Sequence, residues 1–200
     1  MRADDVEVVD RTRVYDGYLK VERFRLRHRR HQGGWTGEMS RELIERGHAV
    51  AVLPYDPARD VVVLIEQFRI GAYAAGIDPW QIEIVAGIIE PGEALDDVAR
   101  RESLEEAGCA VGELIPACRF LTSPGVLSET VEIFVGRTDS QGLGGVHGLD
   151  AEHEDIRVLT AGLDEALAWL DQGRIQNAPA VVALLWLGRH REAVRRRWRD

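Results

Sequence analysis

Glu102, Glu105 and Glu106 stand three and four residues apart in a run of helix-forming residues, so on a helix their carboxylates leave one face about one turn from each other. Three like charges held so closely repel, which costs a helix roughly a few tenths of a kcal/mol per pair. Their pKa values rise unless a cation neutralises them. Magnesium answers that need well, because it takes carboxylate and water oxygens in octahedral geometry and keeps positions open for substrate phosphates. Taken alone, such a trio is more often an acidic, solvated helix face, with Arg100 and Arg101 as its ion-pair partners. Arg101 is adjacent in sequence but points elsewhere on a helix, which suits it to orienting a carboxylate such as Glu93 rather than to binding substrate.

The elements that must hold this face follow from pattern. Residues 94–107 form a helix with Leu95, Val98 and Leu104 along one side, and Gly108 is placed to cap its C-terminus. Before it, residues 49–53 and 61–65 read as buried strands of a long central hairpin around a turn at 54–60, and 81–85 as one short strand. After it come strands near 112–121 and 130–136, a glycine-rich loop over 139–154 and a strand at 156–159. Helices are expected over 163–172, stopped by Gly173, and from Pro179 to about residue 196. This is an α/β sandwich with a mixed sheet and three helices. Residues 1–46 hold strands at 6–9 and 19–27 and a hairpin loop at 27–37; too short for a core of their own, they are expected to pack on the rest of the chain or on a second subunit. A catalytic domain then spans 47–200. The tail Arg195-Arg196-Arg197-Trp198-Arg199 reads as a solvated helix end.

Composition limits the function classes. With 30% charged and 45% hydrophobic residues the chain has the make-up of a globular protein. A net charge of −9 disfavours nonspecific nucleic-acid binding, since a polyanion is repelled by an acidic surface. No run approaches the roughly 18–20 apolar residues of a membrane span, and Met1-Arg2-Ala3-Asp4-Asp5 is polar rather than a signal peptide, so a cytoplasmic protein is expected. Cys109 and Cys118 lack metal-ligand spacing and read as buried small hydrophobes. Lys20 is the only lysine, and the arginine excess suits phosphate contacts while fitting a compositional bias as well.

The segment from Gly87 to Cys109 resembles the Nudix box. In that pattern a glycine is followed after five residues by glutamate and, after seven more, by Arg-Glu, an aliphatic, any residue, Glu-Glu, any residue, glycine and an aliphatic. Gly87, Glu93, Arg101, Glu102, Glu105, Glu106 and Gly108 fill the invariant positions, while Ser103 and Cys109 replace aliphatics. From about Tyr15 onward the chain is similar to the bacterial ADP-ribose pyrophosphatase subfamily. The similarity rests on Ile65-Glu66-Gln67-Phe68-Arg69, Pro79-Trp80, Glu83-Ile84-Val85-Ala86-Gly87, Ser123-Pro124-Gly125, His147-Gly148-Leu149 and Glu152-His153-Glu154-Asp155-Ile156.

That resemblance implies a Nudix α/β/α sandwich with a small N-terminal antiparallel β element exchanged between the subunits of a homodimer. It implies hydrolysis of ADP-ribose to AMP and ribose 5-phosphate with Mg2+, for which Mn2+ could substitute. Metal would be held by Glu102, Glu106, Glu105 and the carbonyl of Ala86. Glu152 would be the base, with Glu154 in support, although Asp150 and Asp155 in the same loop leave the choice open from the residues themselves. Tyr18 would stack on the base, Arg69 and a partner-donated Arg41 would approach the phosphates or terminal ribose, and Ile88 and Ser123 would line the substrate site. As ordinary surface groups, Arg41 and Arg69 would be ion-pair arginines and Tyr18 an edge-strand tyrosine. His153 reads as a solvated loop histidine. The same chemistry on GDP-mannose, and a non-catalytic ADP-ribose-sensing module, are the alternatives.

Overall fold

A computed structural model describes residues 1–149, 151 and 153–198. The chain divides into two compact units, 1–48 with 121–130, and 49–120 with 131–200. In the first, β1 (Val6–Asp16), β2 (Lys20–His28) and β3 (Met39–Glu45) form an antiparallel sheet in that order. Every residue of β1 is exposed, so this edge strand carries Val6, Val8, Val9, Val14 and Tyr15 without cover. β1 runs seven residues beyond the expected 6–9, where Arg11 and Arg13 pair with Glu22 across the ladder, while β2 keeps the expected length, shifted by one residue.

The second unit is built on one mixed sheet. Its strands are β4 (Ala49–Asp56), β5 (Val61–Phe68), β6 (Trp80–Glu83), β7 (Val85–Ile88), β8 (Leu114–Leu121), β9 (Thr130–Arg137), β10 (Gly145–His147) and β11 (Ile156–Gly162). Their order is β10-β11-β5-β4-β9-β8, with β6 on β5 and β7 on β4. The expected long hairpin of β4 and β5 is short: only Tyr55↔Val62 and Asp56↔Val61 pair, and the strands then part. β7 takes the vacated edge of β4 and β6 that of β5, so the expected single strand at 81–85 is two strands broken at Ile84. The turn is correspondingly shorter than expected. Pro54 lies within β4, opposite Gly136 of the parallel strand β9, and Asp60 closes the connection with φ 60°.

Helix α1 (Ile70–Ala74) is a single exposed turn-and-a-half without an amphipathic period to announce it. Helix α2 (Leu95–Ala107) covers one face of the sheet, against Val50, Val52, Val63, Ile65 and Val85. Helices α3 (Leu163–Asp171) and α4 (Ala178–Arg197) cover the other, against Ala51, Leu53, Tyr55, Val62 and Leu64. The alternation along β4 and β5 therefore sorts two cores, and the unit is an α/β/α sandwich. Gly108, at φ 56°, ends α2 as expected, its N–H and that of Cys109 bonding back to Leu104 and Ser103. The Asn177 side chain caps α4.

Two expectations are corrected. Of the expected side only Val98 is buried; Leu95 and Leu104 are exposed, and α2 buries Ala99, Ser103, Glu106 and Ala107 with Val98, because the helix lies too close to the sheet for large side chains. The basic tail is not simply solvated either: Trp198 is 2% exposed and packs 6.4 Å from the Tyr55 ring, while Arg191 pairs with Asp60 and Arg197 with Glu113. Burying an indole outweighs leaving three arginines free. Residue 199 lies outside the described residues. Among the described residues no helix is long and apolar enough to cross a membrane.

Candidate active site

β7 and α2 build the site together. Glu102 comes so near the strand that a β-carbon on Gly87 would overlap its side chain, so any larger residue there would have to push the carboxylate aside. One turn on, Glu106 is 5% exposed, and its Oε2 accepts the backbone N–H of Ala86 at 3.0 Å. In a strand the N–H and C=O of one residue point to the same edge, so the Ala86 carbonyl shares the edge that Glu106 faces. Glu105 is more open, with 31% of its side chain exposed, against 14% for Glu102.

Arg101 does not point away from this face as its place in the helix suggests. Its Nη1 donates to Glu102 Oε1 at 2.8 Å and Glu105 Oε2 at 3.1 Å, while Nη2 stands 3.5 Å from Glu93 Oε1. The expected link to Glu93 is present, with two more carboxylates gathered on the same guanidinium. Glu93 also accepts the N–H of Glu90, which ties the loop preceding α2. Arg100 is no partner of the cluster; it donates to the carbonyls of Val111 and Gly112.

The electrostatics are those of crowded, desolvated acids. Burial pushes Glu106 up to about 8; the Ala86 N–H opposes this, and the charges of Glu102 and Glu154 add to it. Burial also raises Glu102 above the ordinary range, against the pull of Arg101 and with help from Glu105 and Glu154. Among the described residues no three acidic, histidine or cysteine side chains close into one metal cage. Arg101 and the Ala86 N–H hold the carboxylates separately. A buried acid whose pKa desolvation raises, beside two further carboxylates and a backbone carbonyl, is nonetheless a hard oxygen donor set that suits a divalent ion.

The loop after β10 is fastened to α2. Gly148 N–H donates to the Glu105 carbonyl at 3.3 Å, and His147 packs so closely on Gly108 that a β-carbon there would come within 2.6 Å of its ring. Glu154 Oε2 accepts the Leu149 N–H at 3.1 Å, and its charge reaches Glu102, Glu106 and Arg69. His153 is exposed, with φ 56°. Glu152, the expected base, lies outside the described residues, as does Asp150.

Arg69 faces the same charges, held by Glu83, a residue named in the family resemblance but assigned no role there. Glu83 is 3% exposed and accepts from Arg69 Nη2 at 2.7 Å, from its Nε at 3.1 Å and from Asn177 Nδ2 at 3.0 Å. A glutamate between Ile82 and Ile84 in a buried strand was the available signal, since a charge is buried only with partners. Ile88 is 40% exposed at the end of β7. Tyr18, Arg41 and Ser123 belong to the first unit. There Tyr18 is 88% exposed, Arg41 donates to the Ser40 carbonyl, and the Ser123 carbonyl accepts the N–H groups of Val126 and Leu127.

This architecture has known counterparts. A NUDIX domain model matches residues 45–183. An ADP-ribose pyrophosphatase of Escherichia coli (strain K12) is 47% identical over 195 residues, 98% of this chain and 93% of that one. One from Haemophilus influenzae is 38% identical, covering 98% and 91%. A GDP-mannose pyrophosphatase of Citrobacter koseri is 35% identical over 149 residues, covering 74% and 76%. In fold, the crystal structure of an ADP compounds hydrolase superposes with a TM-score of 0.73 at 21% identity, covering 98% of this chain and 97% of that one. With its sandwich, its glutamate-bearing α2 seated on Gly87 and a family match over most of its length, the chain belongs to the NUDIX family.

Proposed function

We propose that this protein hydrolyses the diphosphate of ADP-ribose to AMP and ribose 5-phosphate in a Mg2+-dependent reaction. The observation that carries the reading is whole-length similarity to two ADP-ribose pyrophosphatases, against a shorter and weaker match to a GDP-mannose pyrophosphatase. Glu102, Glu105, Glu106 and the Ala86 carbonyl would hold the metal, and Mn2+ has the oxygen preference to replace it. When bound, the ion neutralises nonbridging phosphate oxygens and lowers the pKa of attacking water.

The residues supply the rest. Gly87 keeps the strand bare where Glu102 must lie, and Arg101 fixes Glu93, Glu102 and Glu105 in one orientation, which limits the reorganisation needed when substrate arrives. Glu83 orients Arg69 toward the phosphates. Glu152 is the proposed base that takes the water proton, and Glu154, tied within the same loop, supports it. Tyr18 and Ser123 are proposed contacts for the base and ribose, Ile88 lines the substrate site, and Arg41 comes from the partner of a homodimer.

The uncovered valines and tyrosine of β1 support that dimer, since an exposed apolar edge strand invites pairing with a second copy. Its mass in solution, measured by light scattering after gel filtration, tests it. Two unbridged cysteines agree with a reducing, cytoplasmic setting. Activity is tested by incubating the protein with a panel of nucleoside diphosphate sugars and Mg2+ and separating the products. AMP from ADP-ribose is expected. A GDP-mannose rate far above the ADP-ribose rate overturns the substrate.

A further inference from the structure

Gln67 is 7% exposed, and its amide nitrogen Nε2 has no hydrogen-bond partner among the described residues. A buried amide that donates to nothing is costly, and native structures rarely keep one without use. Its position shows where the use lies. Along β5, Val62 and Leu64 face α3 and α4, while Val63 and Ile65 face α2. The pairing with β6 runs without a bulge from Ile65↔Glu83 through Gln67↔Gln81, so Gln67 continues the α2 face. Its neighbour along the strand, Phe68, is on the opposite face with Trp80, 5.9 Å from ring to ring. On the Gln67 face lies Glu83, which binds Arg69, two residues further along. Arg69 in turn feels the charges of Glu106 and Glu154. The orphaned donor therefore stands at the end of the sheet that carries the acidic cluster.

We propose that Gln67 is a substrate-positioning residue whose Nε2 hydrogens are donated to an oxygen of the bound diphosphate. The inference rests on the function proposed above. A neutral donor complements Arg69, whose guanidinium is already engaged with Glu83. It adds a hydrogen bond to an anionic acceptor without another charge to desolvate, and such bonds are worth about ten- to a hundredfold in affinity.

The test compares wild type, Gln67→Leu and Gln67→Glu, by calorimetric titration with the α,β-methylene analogue of ADP-ribose in Mg2+, by steady-state kinetics, and by urea unfolding without ligand. Gln67→Leu is expected to bind the analogue about tenfold or more weakly and to raise KM far more than it lowers kcat, yet to unfold at an equal or higher urea concentration, because the orphaned amide is gone. Gln67→Glu, nearly isosteric but unable to donate when ionised, is expected to bind more weakly still. Opposed changes in affinity and stability distinguish positioning from packing. The proposal is overturned if either variant binds as wild type does, or if affinity is lost only in step with stability. A folded wild type that neither binds the analogue nor hydrolyses ADP-ribose removes the functional reading itself, whereas an active wild type with unaffected variants removes only the role of Gln67.

Discussion

Replacing Glu106 with Gln should make the metal-free protein more stable while destroying its activity. Glu106 titrates near 8 when folded, against an ordinary 4.5. Its folded pKa is thus raised. Below 4.5 both states hold the proton and there is no penalty. Between 4.5 and 8 the folded state keeps a proton that the unfolded chain has released, so stability falls with rising pH by about 1.4 kcal/mol per unit. Above 8 the loss is complete. At pH 7 the gap of some 2.5 units corresponds to roughly 3 kcal/mol, an upper figure because the protein relaxes around a buried charge. Gln cannot ionise, and its carbonyl can still accept the Ala86 N–H. The expected result, from urea unfolding with EDTA present, is a stability difference favouring Glu106→Gln that grows by about 2 kcal/mol between pH 5 and pH 7. Saturating Mg2+ should shrink it, since the wild-type carboxylate then has its counter-charge. A difference independent of pH would refute the argument, because Glu106 would then ionise as easily folded as unfolded.

Other substitutions probe single contacts. Gly87→Ala should displace Glu102 and lower kcat/KM by about a hundredfold or more, about 3 kcal/mol of transition-state stabilisation, with the circular dichroism spectrum retained. Trp198→Ala removes a buried indole from Tyr55 and should cost about 3–5 kcal/mol in urea unfolding, with KM unchanged below the transition. Asn177→Ala deletes both the α4 cap and a Glu83 contact; a loss of about 1–2 kcal/mol together with a raised KM is expected, and an unchanged KM would separate Glu83 from the substrate site.

What could be read in advance was whatever depends on local spacing. The carboxylates of α2, its glycine cap and the burial of 49–53 and 61–65 follow from a period of 3.6, from local capping and from unbroken apolar runs, and the structure keeps them. Contacts between distant residues left little trace. Asn177 and Glu83 are 94 residues apart and meet only because α4 starts beside β6. The parting of β4 from β5 was invisible because residues 49–53 and 61–65 are apolar throughout, and nothing in such a run says which neighbour it pairs with. Arg101 was misdirected by helical geometry alone, which places its Cβ but not the end of a long, flexible side chain.

The misread face of α2 carries the remaining lesson. Leu95 and Leu104 looked like anchors, yet the helix rests on Ala99, Ser103 and Ala107. Small residues let its axis approach β7, and only at that distance can Glu106 reach the Ala86 N–H and Glu102 lie across Gly87. The apolar pattern of the helix was sacrificed to the placement of its acids. Ala99→Leu, which puts a large apolar side chain into the core that Ala99 shares with Val50 and Val85, should therefore harm twice. Overpacking should cost about 1–3 kcal/mol. Catalysis should fall more steeply than stability, because a small outward shift of α2 moves every carboxylate at once. Urea unfolding and kcat measured on the same preparation check it. A variant that loses stability yet keeps full kcat would mean that α2 need not lie close for its carboxylates to act.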